Sequence, residues 1–329
     1  MMKGKFYLII VISLQLILLL NPLPLAAGEE NGLKTSTDLE MQVSTRPEAR
    51  LRLNQTFILP FLQAENPLMR DNNIKFVIGA YVTPLSVAAV SEITWTPLAF
   101  LLLSGGGQAG SAWNIPLGSD RIGNGMGLNT PKGPKIEGKK RLAEIKGGNF
   151  DGLVWRAWGA GTFQFDLGAI IPGDWTHVVL QTRQEFRYSA YTRAGPGDSW
   201  IFENDDAENR NGWRYYATYI FGYQMPASPV LKMVGLMAEV RKNFYNTQGG
   251  DFWGDNLGYW IFSVMSNFSI TPMFSATTAI QMRTRRNHAY IQFEHNRDFY
   301  YQDIELLNEG GERRLVFYRV AVILNYKLR

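Results

Sequence analysis

The chain has 329 residues, of which 46% are apolar, and its 33 Lys and Arg stand against 29 Asp and Glu. A balance this close to neutral provides no dense basic stripe for nucleic acid. The absence of Cys excludes a disulfide scaffold and a lipid-anchored amino-terminal Cys.

Lys3 and Lys5 precede an apolar run from Phe6 to Leu20, followed by Asn21, Pro22, Pro24 and the small residues Ala26, Ala27 and Gly28. That is the layout of a secretory signal, residues 1–28, cut near Gly28. A retained anchor is the rival, but the two prolines end the helix too early for a span. Removing Lys3 and Lys5 turns 33 basic residues into 31, which against 29 acidic ones leaves a mature charge of +2. Residues 29–49 show no alternation and are expected to be a short periplasmic tail. No later stretch approaches the roughly eighteen consecutive apolar residues of a membrane helix.

Alternation begins at Arg50. A strand from Arg50 to Phe61 and an outer loop from Leu62 to Asn73 lead to the stretch Ile74 to Trp95. There Val77, Tyr81, Leu85, Val87, Ile93 and Trp95 keep phase through Pro84, so the stretch reads as one long strand with a bulge. After the turn Thr96-Pro97, the Gly-rich strand Leu98 to Ala112 opens into the long outer loop Trp113 to Gly148. From Leu153 to Ile171 the odd positions, including Trp155, Phe163, Phe165 and Leu167, are apolar, whereas Arg156, Thr162, Gln164 and Asp166 lie between them. This phase outlasts the ten or so residues of a sandwich strand. At about 3.3 Å per residue it overshoots a bilayer's apolar band of about 25 Å.

The tetrad Pro172-Gly173-Asp174-Trp175 makes a tight turn into a strand from Thr176 to Tyr191, and an acidic loop follows from Gly195 to Gly212. Further strands are expected at Trp213 to Gln224, Val230 to Tyr245, Leu257 to Ile270, Met273 to Arg286 and Arg314 to Leu328. Their connections are alternately short and long, which distinguishes a periplasmic side from an outer side. In lipid only helices and closed barrels satisfy every backbone polar group. The expected fold is therefore all-β, a transmembrane antiparallel up-and-down barrel over residues 50–329 with long outer loops. The count is about ten strands. Twelve is the rival, reached if Thr83 to Ser86 and the loop after Arg286 each form an extra hairpin.

In the last strand Tyr318, Val320, Val322, Leu324, Tyr326 and Leu328 alternate with Arg319, Ala321, Asn325 and Lys327. This resembles the terminal strand by which bacterial outer-membrane β-barrels are recognised for insertion, except that Arg329 stands where an aromatic residue is commonest. The tracts FLQAENPL, FQFDLGAIIPGDW and FENDDAENRNG are similar to those of spirochaete-type barrels. The resemblance covers the chain from about Arg50. It implies a place in the outer membrane, with membrane lipid and the barrel-insertion machinery as partners, the latter through residues 314–328, and it implies no cargo.

The face opposite the apolar one carries Arg50, Arg52, Arg156, Arg183, Arg187, Arg214, Arg241, Arg283, Arg285 and Arg319, against Glu92, Asp166, Glu185 and Glu239. Such a basic lumen reads as the vestibule of a passive, porin-like channel that draws in small anions, because low-dielectric walls focus clustered charge. The rival is a structural surface barrel plugged by these groups, since even eight strands leave an interior that side chains fill. The turn at Pro172 places Asp166 opposite Gln181 and diagonal to Arg183. A rim hydrolase would have His177, or His288 and His295 with Glu294, Asp298 and Asp303, as its acid–base groups. No serine stands in a nucleophile context, so no enzyme is expected, and a surface adhesin is a further alternative. Glu203, Asp205, Asp206 and Glu208 miss the calcium-loop spacing because Arg210 stands where a ligand is needed, so neither metal nor cofactor is expected. Trp155, Trp175, Trp213, Trp253 and Trp260 fall near strand ends, where amphipathic rings favour the membrane interface.

Overall fold

The computed structural model describes residues 32–46, 48–116, 122–123, 125–132, 140–146, 148–169, 177–195, 198–203, 205, 209–244, 258–286, 288–296, 299–306 and 313–328. The expected leader and the tetrad Pro172 to Trp175 lie outside them, as do Asp206, Glu208 and Trp253. Residues Thr35–Arg329 constitute one compact unit.

Twelve antiparallel strands close into a barrel. In chain order they are β1 (Lys34–Ser44), β2 (Glu48–Pro60), β3 (Asn73–Val82), β4 (Ser86–Leu98), β5 (Leu101–Ala112) and β6 (Val154–Asp166). The second half comprises β7 (Val178–Tyr191), β8 (Gly212–Gln224), β9 (Leu231–Asn243), β10 (Tyr259–Ser269), β11 (Phe274–Arg286) and β12 (Arg313–Lys327). Closure comes from β1 pairing with β12, from Asp38 opposite Lys327 to Ser44 opposite Ala321. Closing the ladder leaves no edge whose N–H and C=O groups would face lipid unpaired.

The period-two pattern sorts the side chains as expected. Phe163, Phe186, Phe221, Leu236, Val264 and Ile280 are exposed on the outside, whereas Thr162, Glu185, Gln281 and Arg283 are buried within. Polar inside and apolar outside is stable only where the surroundings are hydrocarbon.

The strand count departs from ten at two places. Within the expected tail 29–49, β1 sets Leu39, Met41 and Val43 against Asp38, Glu40 and Gln42. Three apolar positions are too few to stand out until the pairing with β12 is seen. At Pro84 the chain reverses: Thr83 N donates to Ser86 O at 2.9 Å, Leu85 N donates to Thr83 Oγ1 at 3.1 Å, and Val82 then pairs with Val87. The continuous phase across Pro84 was misleading, because Val77 pairs with Glu92 in this hairpin and the odd residues Ile93 and Trp95 therefore face out. The loop after Arg286 also forms a hairpin, His288–Asn296 with Phe299–Leu306, but it joins a separate sheet and adds nothing to the barrel. With β1 present, the connection 61–72 moves to the end where β12 finishes at Lys327, not to the outer side.

At the opposite end three long connections build a second sheet over the mouth, in the order Asn209–Arg210, Ser199–Phe202, Met126–Lys132, Lys140–Lys146, Phe299–Leu306 and His288–Asn296. Ala112, Met126, Val154, Tyr191, Trp200 and Phe202 form a buried cluster where this cap meets the strand ends. Trp200, Tyr191 and Phe202 are among the largest fully buried side chains, so burial of ring area, roughly 2 kcal/mol for each aromatic side chain, holds the cap down.

Candidate functional site

The middle of the lumen is crossed by a belt of charges and rings. Trp158 of β6 lies across Gly106 of β5, where a Cβ would come within 2.5 Å of the indole. Only glycine leaves room for this inward indole. Its Nε1 donates to Glu92 at 2.9 Å. Arg183 donates to Glu92 at 3.3 Å, to Glu185 at 3.1 Å and to Ser104 Oγ at 3.1 Å. Arg187 donates to Glu185 at 2.7 Å and lies over the rings of Trp158 and Tyr216, 5.2 and 4.6 Å from their centroids. Four of the residues expected to line the lumen, Glu92, Arg183, Glu185 and Arg187, are thus brought together.

Asp166 is not among them. Leu167–Ala169 leaves the strand as a 3-10 turn, and Asp166 accepts a hydrogen bond from Gly168 N at 2.8 Å. The connection to β7 is therefore longer than the Pro172 tetrad, and the register shifts by two: Asp166 pairs with Val179, Gln164 with Gln181 and Thr162 with Arg183. Glu239 stands opposite Thr218 and Ile261, one inward step below Arg241 on β9. Arg285 pairs with Arg314 through the backbone, and its side chain lies outside the described residues.

Above the belt, under the cap, lies a cavity of about 340 Å³. Arg46, Arg50, Arg156, Arg214, Arg241, Arg283 and Arg319 line it, with the carboxylates Glu48, Glu203 and Asp205. Each of the seven guanidiniums lies against an aromatic ring. Register explains the central case, since Tyr216, Arg241 and Tyr259 stand opposite one another across β8, β9 and β10. Arg241 is accordingly 5.6 Å from one ring centroid and 5.3 Å from the other. Arg283, Arg319 and Arg46 surround Tyr318 at 4.4, 4.7 and 5.2 Å, and Arg50 lies over Tyr81 at 5.1 Å. The cap supplies the remaining rings, Trp200 to Arg214 at 5.6 Å and Phe202 to Arg156 at 5.3 Å. Such contacts contribute about 0.5–2 kcal/mol each and leave the cation its charge.

Other contacts complete the wall. Arg319 pairs with Glu48 and donates from Nε to Gln281 at 2.6 Å. Arg283 reaches Tyr259 OH at 3.2 Å, and Arg214 reaches Asn209 Oδ1 at 2.8 Å. The Nε of Arg50 is buried with no hydrogen-bond partner among the described residues.

Glu203 is the cap's main polar anchor. Its carboxylate accepts from Tyr81 OH at 2.9 Å and Ser86 Oγ at 2.6 Å, and its backbone N–H donates to Gly125 O at 2.7 Å. Gln108 Nε2 donates to the same Tyr81 oxygen at 2.7 Å. Of the acidic loop, Glu203 and Asp205 line the cavity.

The residues missed from sequence are chiefly the rings. Tyr216 could have been found from strand phase, since it shares a face of its strand with Arg214, and Tyr259 from its place opposite the apolar phase of Trp260, Phe262 and Val264. Tyr318 could not. A bulge in β12 pairs Gln281 with Arg319 and Met282 with Phe317, leaving Tyr318 as the extra residue, turned inward rather than on the apolar face. His177 lies at the opposite end of the barrel beside Tyr223, with ring centroids 6.5 Å apart. The side chains of His288, His295, Glu294, Asp298 and Asp303 lie outside the described residues.

A closed ladder of twelve strands, apolar towards its surroundings and charged within, defines a membrane-spanning β-barrel of the bacterial outer-membrane type. No protein-family model matches the chain, and no curated protein matches it. Among solved structures it is similar to the translocator domain of the autotransporter NalP from Neisseria meningitidis, at 8% identity over 89% of this chain and 88% of that one, TM-score 0.34. It is also similar to CdiB from Acinetobacter baumannii, at 10% identity over 89% of this chain and 60% of that one, TM-score 0.35. OmpT, an outer membrane protein of Vibrio cholerae, matches at 7% identity over 90% of this chain and 97% of that one, TM-score 0.32. At these values the likenesses carry no argument about function; the class follows from the closed ladder and its apolar exterior.

Proposed function

We propose that the barrel is a passive channel for small anions, with the arginine cavity as its outer vestibule. One observation carries this reading: among the described residues, seven guanidiniums, from six strands and the β1–β2 turn, converge on one cavity lined by three carboxylates. The predominance of arginine among the described lining residues sits inside low-dielectric walls, which focus its field on entering solutes. No catalytic step belongs to this reading.

The test is the reversal potential of the refolded protein in a planar bilayer under a potassium chloride gradient. Preference for chloride is expected, and Arg241→Gln with Arg283→Gln should weaken it. A wild-type channel that prefers potassium overturns the proposal. The second reading is a closed structural barrel, favoured by the belt in which Arg187 lies over Trp158 and Tyr216. It predicts no current from the wild type and current from Trp158→Ala.

A further inference from the structure

The connection 61–72 displays apolar side chains that neither chain freedom nor packing within the protein accounts for. Its backbone is tied at several points. Phe61 N donates to Asn72 O at 3.1 Å, Asn72 Nδ2 donates to Leu62 O at 3.0 Å, and Met69 N and Arg70 N donate to Asn66 O at 2.9 and 3.0 Å. Ala99 N, in the turn from β4 to β5, donates to Leu68 O at 2.9 Å, so the segment runs along the rim from the foot of β2 to the foot of β5. Leu62 is held at φ 53°, a left-handed conformation uncommon outside glycine. Yet Leu62 is 59% exposed, Leu68 46% and Phe61 41%. Three large apolar side chains turned outward from a fixed loop are costly in water and cost nothing in hydrocarbon.

These side chains extend the barrel's lipid-facing surface. On the outside of β2 to β5, Leu59 stands opposite Ile74, Ile74 opposite Trp95 and Trp95 opposite Leu103. Phe61 follows Leu59 by two residues, keeps its outward phase and meets Trp95 edge-on, with ring centroids 6.5 Å apart. Phe100, next to Ala99, meets the outward Phe163 at 5.5 Å. The apolar exterior thus continues from the strands into the connection. We propose that connection 61–72 is a foot seated in lipid, with Phe61, Leu62 and Leu68 in the boundary between headgroups and acyl chains at this end of the barrel. The partner is the phospholipid surface, because the apolar exterior that the foot continues already faces hydrocarbon. Segments at that depth bury apolar side chains among the acyl ends and leave polar ones in the headgroups, a part that the exposed Gln63, Glu65 and Arg70 supply. A rigid foot fixes the depth at which β2 to β5 sit, whether or not the barrel conducts.

Because the chain has no Cys, a single introduced Cys carries a nitroxide label at one chosen position. The refolded full chain bearing Leu62→Cys or Leu68→Cys is placed in vesicles of phosphatidylethanolamine and phosphatidylglycerol. Collisions of the label with oxygen, which concentrates in lipid, are compared with collisions with a water-soluble nickel chelate. Leu236→Cys, exposed on the outside of β9, gives the lipid reference, and Arg193→Cys, from the exposed pair with Asp151, gives the water reference. Both foot labels should shift the oxygen-to-chelate ratio away from the Arg193→Cys value and towards that of Leu236→Cys. A water-like ratio at either position overturns the proposal, since the foot then stands in the aqueous phase. Shielding of the labels from both reagents overturns it as well, because a second copy or another protein then covers the foot.

Discussion

Glu203 offers a measurable test of how the cap is held. It lies at φ 56°, a left-handed conformation that costs a non-glycine residue roughly 1 kcal/mol. The position is retained because its carboxylate accepts from two buried hydroxyls, Tyr81 OH and Ser86 Oγ. Glu203→Ala removes both acceptors and keeps the strain. Ser86 can turn its proton to Thr83 Oγ1, already 2.9 Å away, so its loss is small. Tyr81 cannot recover in this way. Gln108 donates to its oxygen, and its own proton is left buried without an acceptor, which costs about 1–3 kcal/mol. Opening of the cap should therefore rise roughly 5- to 150-fold, since about 1–3 kcal/mol corresponds to such a factor. Glu203→Gly loses the same acceptors but relieves the left-handed strain, so it should open less than Glu203→Ala. Glu203→Gln keeps one acceptor oxygen and should stay near the wild type. The assay is the rate of limited proteolysis of the cap in the refolded barrel, under conditions where cleavage follows the open population. A wild-type rate in Glu203→Ala, or faster cleavage in Glu203→Gly than in Glu203→Ala, refutes the anchor.

Two further outcomes follow from the barrel. Gly106→Ala places a Cβ 2.5 Å from Trp158 and 2.6 Å from Ser91 O, so it should lower the urea unfolding free energy by about 1–3 kcal/mol, whereas Gly159→Ala, with nothing within 4 Å, should not; equal midpoints would remove the close packing of the belt. An epitope tag at Asn66, in the connection 61–72, should be hidden on intact cells and one within residues 133–139 accessible, and the reverse labelling would invert the assigned direction.

Much of the barrel was legible because its alternation is local. Phe163 and Phe186 face out and Arg183 and Arg187 face in, simply because successive side chains leave opposite faces of a strand. The same rule selected six of the seven arginines that line the cavity and the Glu185 that ties two belt arginines together. It missed Arg46, which sits in a turn that joins two strands only if β1 exists.

By itself, then, the amino-acid order determined the class of fold, the apolar exterior and the basic interior, since each depends only on which residues alternate. Pairing was decided in three dimensions. The partner of Asp166 depends on a 3-10 turn three residues long, the inward turn of Tyr318 on a bulge opposite β11, and the twelfth strand on β12 being there to receive Lys34–Ser44. Register and bulges belong to two strands at once, and no single strand's pattern contains them. The descent of Glu203 onto Tyr81, 122 residues away in sequence, likewise exists only because the closed barrel brings β3 beneath the cap.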